Sequence, residues 1–172
     1  ASVNKVRTIM IVGFPMGSVY YASSSHTYGL SMLRLEINLI KVLKKAGYSV
    51  VYKAHPDRLN EISNIFEDYV DEVIVESFEI SYLMADCLLF PHFGTTTFGF
   101  ALMTKKPIVL IDHVKNNDVF EDPMELIRKR CSVVNAYTNN NDETGFDESE
   151  LLLAVQDSVS NIDYEVVEKY AL

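Results

Sequence analysis

The chain has 172 residues, of which 48% are hydrophobic, enough apolar material to bury the core of one ordinary domain. Its formal net charge of -9 excludes a broad nucleic-acid surface, because counterion release from a polyanion requires clustered Lys and Arg. Cys87 and Cys131 are the only cysteines, too few for a disulfide framework. They read as reduced thiols of a cytoplasmic protein. No apolar run approaches the roughly 18 to 20 residues needed to span a bilayer, and the start lacks a signal peptide's cleavage pattern.

Residues 8–13 (TIMIVG) form a short apolar run stopped by Gly-Phe-Pro, the pattern of a strand covered on both faces. Residues 30–46 place Leu33, Ile37, Ile40 and Leu43, or Leu35, Leu39 and Val42, at helical spacing, with Gly47 as the stop. Residues 49–54 (SVVYKA) read as a second strand, 59–69 as an amphipathic helix and 72–75 as a third strand. A short helix over 78–85, a strand over 86–90, a helix over 96–104 and a strand over 107–111 (PIVLI) follow. A helix over 123–130 has Pro in its first turn, and 131–135 can form a sixth, shorter strand. Residues 139–144 (NNNDET) read as a solvated loop, and Asp147 with Glu150 as an Asp-x-x-Glu capping box before the last helix. There is no internal repeat or low-complexity tract.

Strands alternating with helices predict an α/β, three-layer, Rossmann-like domain with a mainly parallel sheet. Ligands in such sheets bind beyond the carboxyl ends of strands, which directs attention to residues 14–29, 55–58 and 91–97. In 91–97 (PHFGTTT), Gly94 permits close backbone approach, and Thr95, Thr96 and Thr97 offer hydroxyls and amides at a helix start, groups that suit a phosphate. One of these threonines acting only as a helix cap is the structural alternative. In 53–58 (KAHPDR), His55 and Arg58 can donate to phosphate or ribose oxygens; alternatively, Asp57 caps the next helix and His55 packs against it. The long connection 14–29 is rich in Gly, Ser and Tyr, so it reads equally as a ligand-binding loop or as an interface through Tyr20, Tyr21 and Tyr28. Ser24, His26 and His92 are its and the neighbouring loop's candidate contacts.

Asp112 and His113 end the PIVLI strand and are weaker candidates, and the cluster Glu121, Asp122 and Glu125 reads as charge near a helix start. There is no GxxxxGK[ST], GxGxxG or GxSxG motif and no paired-cysteine motif, and the four histidines lack zinc-site spacing. A metal site is therefore not expected. A flavodoxin-like module is disfavoured by the lack of an acidic pair after the first strand.

KAHPDR after one strand, followed by ADCLLFPHFGTTTFGFALMTKKPIVLID, resembles the C-terminal, nucleotide-binding half of GT-B glycosyltransferases, with the nearest pattern in bacterial surface-polysaccharide enzymes of the CDP-glycerol glycerophosphotransferase and UDP-GlcNAc 2-epimerase type. The resemblance covers roughly residues 8–112. It implies donor-phosphate contacts from His55, Gly94, Thr95, Thr96 and Thr97 and a weaker one from Arg58, with a nucleotide-sugar or CDP-polyol donor as substrate and no separate cofactor. It also implies that residues 1–172 are one donor-binding domain of a longer two-domain protein whose N-terminal acceptor domain carries the catalytic base. Such a protein would be cytoplasmic, or peripheral at the inner membrane through its full length, and the isolated domain inactive. Relatives place an acidic residue early in the helix after the loop, whereas Phe98, Gly99 and Phe100 stand here, so no ribose ligand is carried over. A non-catalytic binding or interaction domain that keeps the fold is the alternative.

Overall fold

The computed structural model describes residues 5–13, 25–62, 64–113, 121–139, 143–165 and 168, with the backbone alone for 25–29, 60–61 and 121–123. Seven strands, β1 (Thr8–Val12), β2 (Ser49–Lys53), β3 (Glu72–Ile74), β4 (Cys87–Phe90), β5 (Ile108–His113), β6 (Ser132–Thr138) and β7 (Thr144–Phe146), form one sheet in the order β3-β2-β1-β4-β5-β6-β7. Neighbours from β3 to β6 run parallel, and β7 pairs antiparallel with β6. The expected α/β, mainly parallel architecture is therefore present.

The central strands carry continuous apolar runs, Ile9 to Val12, Cys87 to Phe90 and Ile108 to Ile111, because both sheet faces are covered. Ile9, Ile11, Val50, Cys87, Leu89, Val109 and Ile111 pack against α1 (Ser25–Lys45) and α6 (Glu148–Asp157). The alternate residues Met10, Val12, Val51, Leu88, Phe90, Ile108 and Leu110 meet Phe78 of α3 (Phe78–Ser81), Phe98 and Ala101 of α4 (Thr96–Met103) and Met124 and Ile127 of α5 (Glu121–Arg130). The strand period of two thus divides one sequence run between two cores.

Helix α1 buries Met32, Leu35, Leu39, Ile40 and Leu43 completely and ends as its Gly47 predicts. Gly47 takes φ +89°, its N–H donates to Lys44 O (3.0 Å) and the N–H of Tyr48 to Leu43 O (3.1 Å), the paired bonds of a glycine-terminated helix. The helix begins at Ser25 rather than Leu30 and carries Gly29 inside it, since one internal Gly costs only about 1 kcal/mol against an extensive packed face.

Elsewhere the structure corrects the expected elements. Helix α2 is only Leu59–Ile62, because Asn64 enters the left-handed region at φ 80° and the chain continues in turns. Ile62, Phe66 and Val70 are all buried, so the helical spacing reflects inward-facing turns. Of the loop expected at 139–144, Asn139 and Glu143 lie between strands, 140–142 are outside the described residues, and Thr144 instead begins β7, in a hairpin with Tyr137 opposite Gly145 and Thr138 opposite Thr144. A Cβ on Gly145 would lie 2.8 Å from the Tyr137 ring. At α6, Asp147 accepts the N–H of Glu150 (2.9 Å), while the Glu150 carboxylate takes the N–H and side-chain amide of Asn135 (3.1 Å each). Half of the capping box is formed, and its other half ties α6 to β6.

One polar group lies inside the α1 core. Arg58, in the 3-10 turn Pro56–Arg58, donates from Nη1 and Nη2 to the two carboxylate oxygens of Glu36 on α1 (3.1 Å each) and from Nη1 to the Tyr52 hydroxyl (3.0 Å), which itself donates to Glu36 (3.0 Å). All three residues are 0% exposed, and Phe66 stacks on Tyr52 at 4.2 Å. The expectation that Arg58 serves a ligand at the sheet edge is corrected here, since its guanidinium is enclosed and engaged by Glu36. Burial pushes the Glu36 carboxyl up and Arg58 opposes that shift.

Breaking such a pair leaves an uncompensated buried charge, so Arg58→Ala is expected to lower unfolding free energy by about 3–5 kcal/mol. Urea denaturation checks this. Glu36→Met combined with Arg58→Met should lose less than Arg58→Ala alone, and equal losses would show that the charge left behind is not the cause.

Candidate functional site

The strand order places the sheet's reversal between β1 and β4: from β1 the chain builds outward through β2 and β3, then returns to the other side of β1. Crevices at such reversals, beyond the carboxyl ends, are the binding places of doubly wound sheets. His55 follows β2 and the threonine loop follows β4, so they are not on neighbouring strands. They flank β1 at a separation on the order of 10 Å, two interstrand spacings.

Gly13 lies between them at the end of β1, its N–H donating to Lys53 O (2.9 Å). A Cβ there would lie 2.4 Å from the Tyr52 hydroxyl oxygen, 2.9 Å from Tyr52 Cζ and 3.1 Å from Lys53 O. Tyr52 cannot yield cheaply, because its hydroxyl is held by Glu36 and Arg58. Gly13 is therefore required by the packing of Tyr52, whose hydroxyl fills the place of a Cβ. Reading Gly-Phe-Pro only as a strand stop misses this role; the signal lies in the pairing of a strand-ending glycine with a tyrosine near the end of the adjacent strand.

Beyond β4, His92 Nδ1 accepts the N–H of Gly94 (2.9 Å) and Phe93 O accepts that of Thr95 (2.8 Å), folding a tight turn. This turn delivers Thr95 as the N-cap of α4, its hydroxyl accepting the N–H of Phe98 (3.1 Å). Thr96 and Thr97 are then the first helical residues, whose amides have no acceptor within the helix, and Thr96 and Gly94 are exposed. Capping thus falls to Thr95 and not to Thr96 or Thr97. A Cβ on Gly94 would approach the His92 ring to 2.7 Å.

The histidines here are neutral donors. Nδ1 of His92 accepts a backbone N–H, so its proton is assigned to Nε2; the ring stacks on Phe93 with centroids 5.4 Å apart and lies 6.3 Å from that of His113. Burial, reinforced by His113, pushes the His92 imidazole down to about 4. His113 Nε2 is 2.8 Å from Pro91 O and therefore donates to it, pinning the start of the threonine turn to β5. Burial also lowers His113, against the Pro91 carbonyl. His55 caps the 3-10 turn, with Nδ1 accepting the N–H of Asp57 (3.2 Å), so its proton too is assigned to Nε2. Burial lowers it, while Asp57 opposes.

The cations of KAHPDR do not reach out from this edge. Lys53 is buried with Nζ donating to Ala54 O (2.6 Å), and Arg58 belongs to the Glu36 pair. Asp112 lies 3.8 Å from Arg128 on α5. Ser24 lies outside the described residues, as does the connection from residue 14 to it; His26 is in the first turn of α1, with its side chain outside the description. The open concavities found among the described residues, about 530 Å³ beside Ser132 and Glu150 and about 810 Å³ beside Arg7, Tyr48 and Gln156, lie away from this edge. Among the described residues no group of three or more His, Cys, Asp or Glu is placed to hold a metal ion, and no helix is long and apolar enough to cross a membrane.

No family model and no curated protein matches the sequence. Among solved structures the chain is similar to KpsC of Thermosulfurimonas dismutans, a beta Kdo 2,7 transferase, with TM-score 0.43 and 19% identity over 89% of this chain and 46% of that one. It is similar to MT0777 with TM-score 0.45 and 17% identity over 90% of this chain and 97% of that one, and to AibC with TM-score 0.38 and 16% identity over 90% and 39%. The chain thus spans less than half the length of KpsC.

A histidine held neutral in the fold binds fewer protons than in the unfolded chain between its two pKa values, so its contribution is complete above the unfolded value near 6.5 and is lost as pH falls toward 4. Denaturation at pH 7.5 and 5 should show His92→Asn, which keeps an acceptor for Gly94, losing less stability on acidification than the parent chain. One group contributes at most about 1.4 kcal/mol per pH unit, less for a partly exposed ring. Parallel losses in the two proteins would show that His92 titrates freely.

Proposed function

We propose that the chain binds the diphosphate of a nucleotide-activated donor across the end of β1, between His55 and the start of α4. On this reading it is the donor half of a glycosyltransferase or polyol-phosphate transferase of surface-polysaccharide synthesis. The observation that carries it is the start of α4 at the sheet's reversal, where Thr95 serves as the cap and the first-turn amides of Thr96 and Thr97 have no acceptor within the helix, with His55 across β1. A helix N-terminus combines oriented N–H groups with a favourable dipole for anions. The resemblance of KAHPDR and PHFGTTT to donor-binding segments supports the same positions, without Arg58. The acceptor domain, the catalytic base and attachment to the inner membrane belong to the longer protein that this reading requires.

A non-catalytic binding domain is the second reading, favoured by the engagement of Lys53 and Arg58 away from the edge. Neutral amides and imidazoles hold a diphosphate with less charge pairing than an arginine clamp.

Titration calorimetry with UDP, CDP and GDP distinguishes these readings from a fold without a nucleotide site. Binding is expected for at least one, with His55→Ala and Thr96→Val each losing about 0.5–1.5 kcal/mol, a factor of roughly 2 to 12. A phosphate beside His55 favours its protonated form, so affinity should rise from pH 7.5 to 6 more in the parent chain than in His55→Ala. Absence of binding at millimolar nucleotide, with and without the acceptor domain, overturns the donor reading, as does binding indifferent to both substitutions.

A further inference from the structure

The described surface concentrates large apolar side chains in one region. Ile80 (70% exposed), Leu83 (65%), Met84 (51%) and Met103 (50%) come from α3 and the 3-10 turn after it, and from the end of α4. These segments are neighbours: Phe100 of α4 lies 6.0 Å from Phe78 and 5.7 Å from Tyr82 between ring centroids, and Lys106 beyond α4 donates to the carbonyls of Leu83 and Ala85. Single exposed apolar residues are ordinary on a protein surface, but several on segments packed against one another point to an interaction face.

The charges around this face are ordered. Glu76 and Glu79 stand at the amino end of the 78–84 segment, where both act on Lys53. Lys105, exposed, and Lys106 stand at its carboxyl end, as the Lys106 bonds to Leu83 and Ala85 require. The face therefore reads net acid, apolar, net base along one direction, with buried Lys53 beside the glutamates and Asp86 beside Lys106. Turned about a two-fold axis perpendicular to that direction, such a face is its own complement, since each acidic end then meets the partner's basic end over an apolar centre.

We propose that this α3–α4 face is the contact between two copies of the chain in an isologous dimer. The acidic end borders Lys53 at the end of β2, but Gly13, His55 and Thr96 are not among the residues of the face, and sedimentation reads association rather than nucleotide binding.

Sedimentation equilibrium of the 172-residue chain at about 0.15 M salt, where charge repulsion between two acidic chains is screened beyond about 8 Å, should show twice the monomer mass at tens of micromolar. Leu83→Glu, which adds a charge at an exposed position, should weaken association about tenfold or more, with unchanged circular dichroism. Glu79→Lys and Lys105→Glu should each weaken it several-fold, and the two together should restore it, because the exchanged charges again face each other. A chain monomeric at several hundred micromolar overturns the proposal. So does a dimer indifferent to Leu83→Glu, or a double exchange no stronger than the single ones.

Discussion

The pairing of Glu36 with Arg58, closed by the Tyr52 hydroxyl, is the constraint on which the rest of the molecule turns. It joins the middle of α1, the end of β2 and the turn that follows β2. The N–H of Arg58 also donates to the carbonyl of His55 (2.9 Å), so the turn presenting His55 is anchored at the residue where the charge is buried. Because Tyr52 is held by both charged partners, the space above its hydroxyl at Gly13 is closed to any side chain. A buried ion pair is weak evidence of net stabilisation, given the desolvation of both ions. Its clearest consequence here is geometric, in that one register of α1 against β2 satisfies all three groups.

The two sides of the crevice are built on different principles. On the β2 side a buried charge pair sets the backbone, and the available donor is a neutral imidazole. On the β4 side local bonds do the work: His92 and Phe93 close the turn, Thr95 caps the helix and His113 pins Pro91. Neutral histidines suit this task, since an imidazole that accepts a backbone N–H at Nδ1 would lose that acceptor on protonation. The field at the crevice therefore comes from peptide dipoles at the start of α4 more than from formal charge, in keeping with a chain whose net charge is -9.

Fold class was legible because it depends on periodicity, and the two periods were well separated in this sequence. Residues 8–13 and 107–111 are continuous apolar runs that only a doubly covered strand accommodates, and Gly47 marked the end of α1 within a residue. The failures share a cause. Ile62, Phe66 and Val70 have helical spacing, but a residue with positive φ interrupts the segment, and spacing alone does not report backbone conformation. Strand β7 is short and polar, and it exists through pairing with β6 rather than by its own propensity. Arg58 looked like a surface donor beside His-Pro because its partner is 22 residues upstream on α1. The partner of a buried charge is a tertiary fact.

The same distinction separates the parts of the candidate site. Local motifs located the threonine turn, since a loop leaving an apolar strand and entering a helix needs a cap and offers amides whichever threonine does which task. They could not show that β1 lies between His55 and that turn, because strand order is not encoded in chain order. On the proposed reading the arrangement holds an anion. At this edge Asp112 is paired with Arg128, and His92 and His113 are committed through ring nitrogens to the turn itself. A group that must move a proton during a reaction cannot also hold the backbone on which the reactants rest. Transfer chemistry, on the proposed reading, therefore calls for an acid or base other than Asp112, His92 and His113.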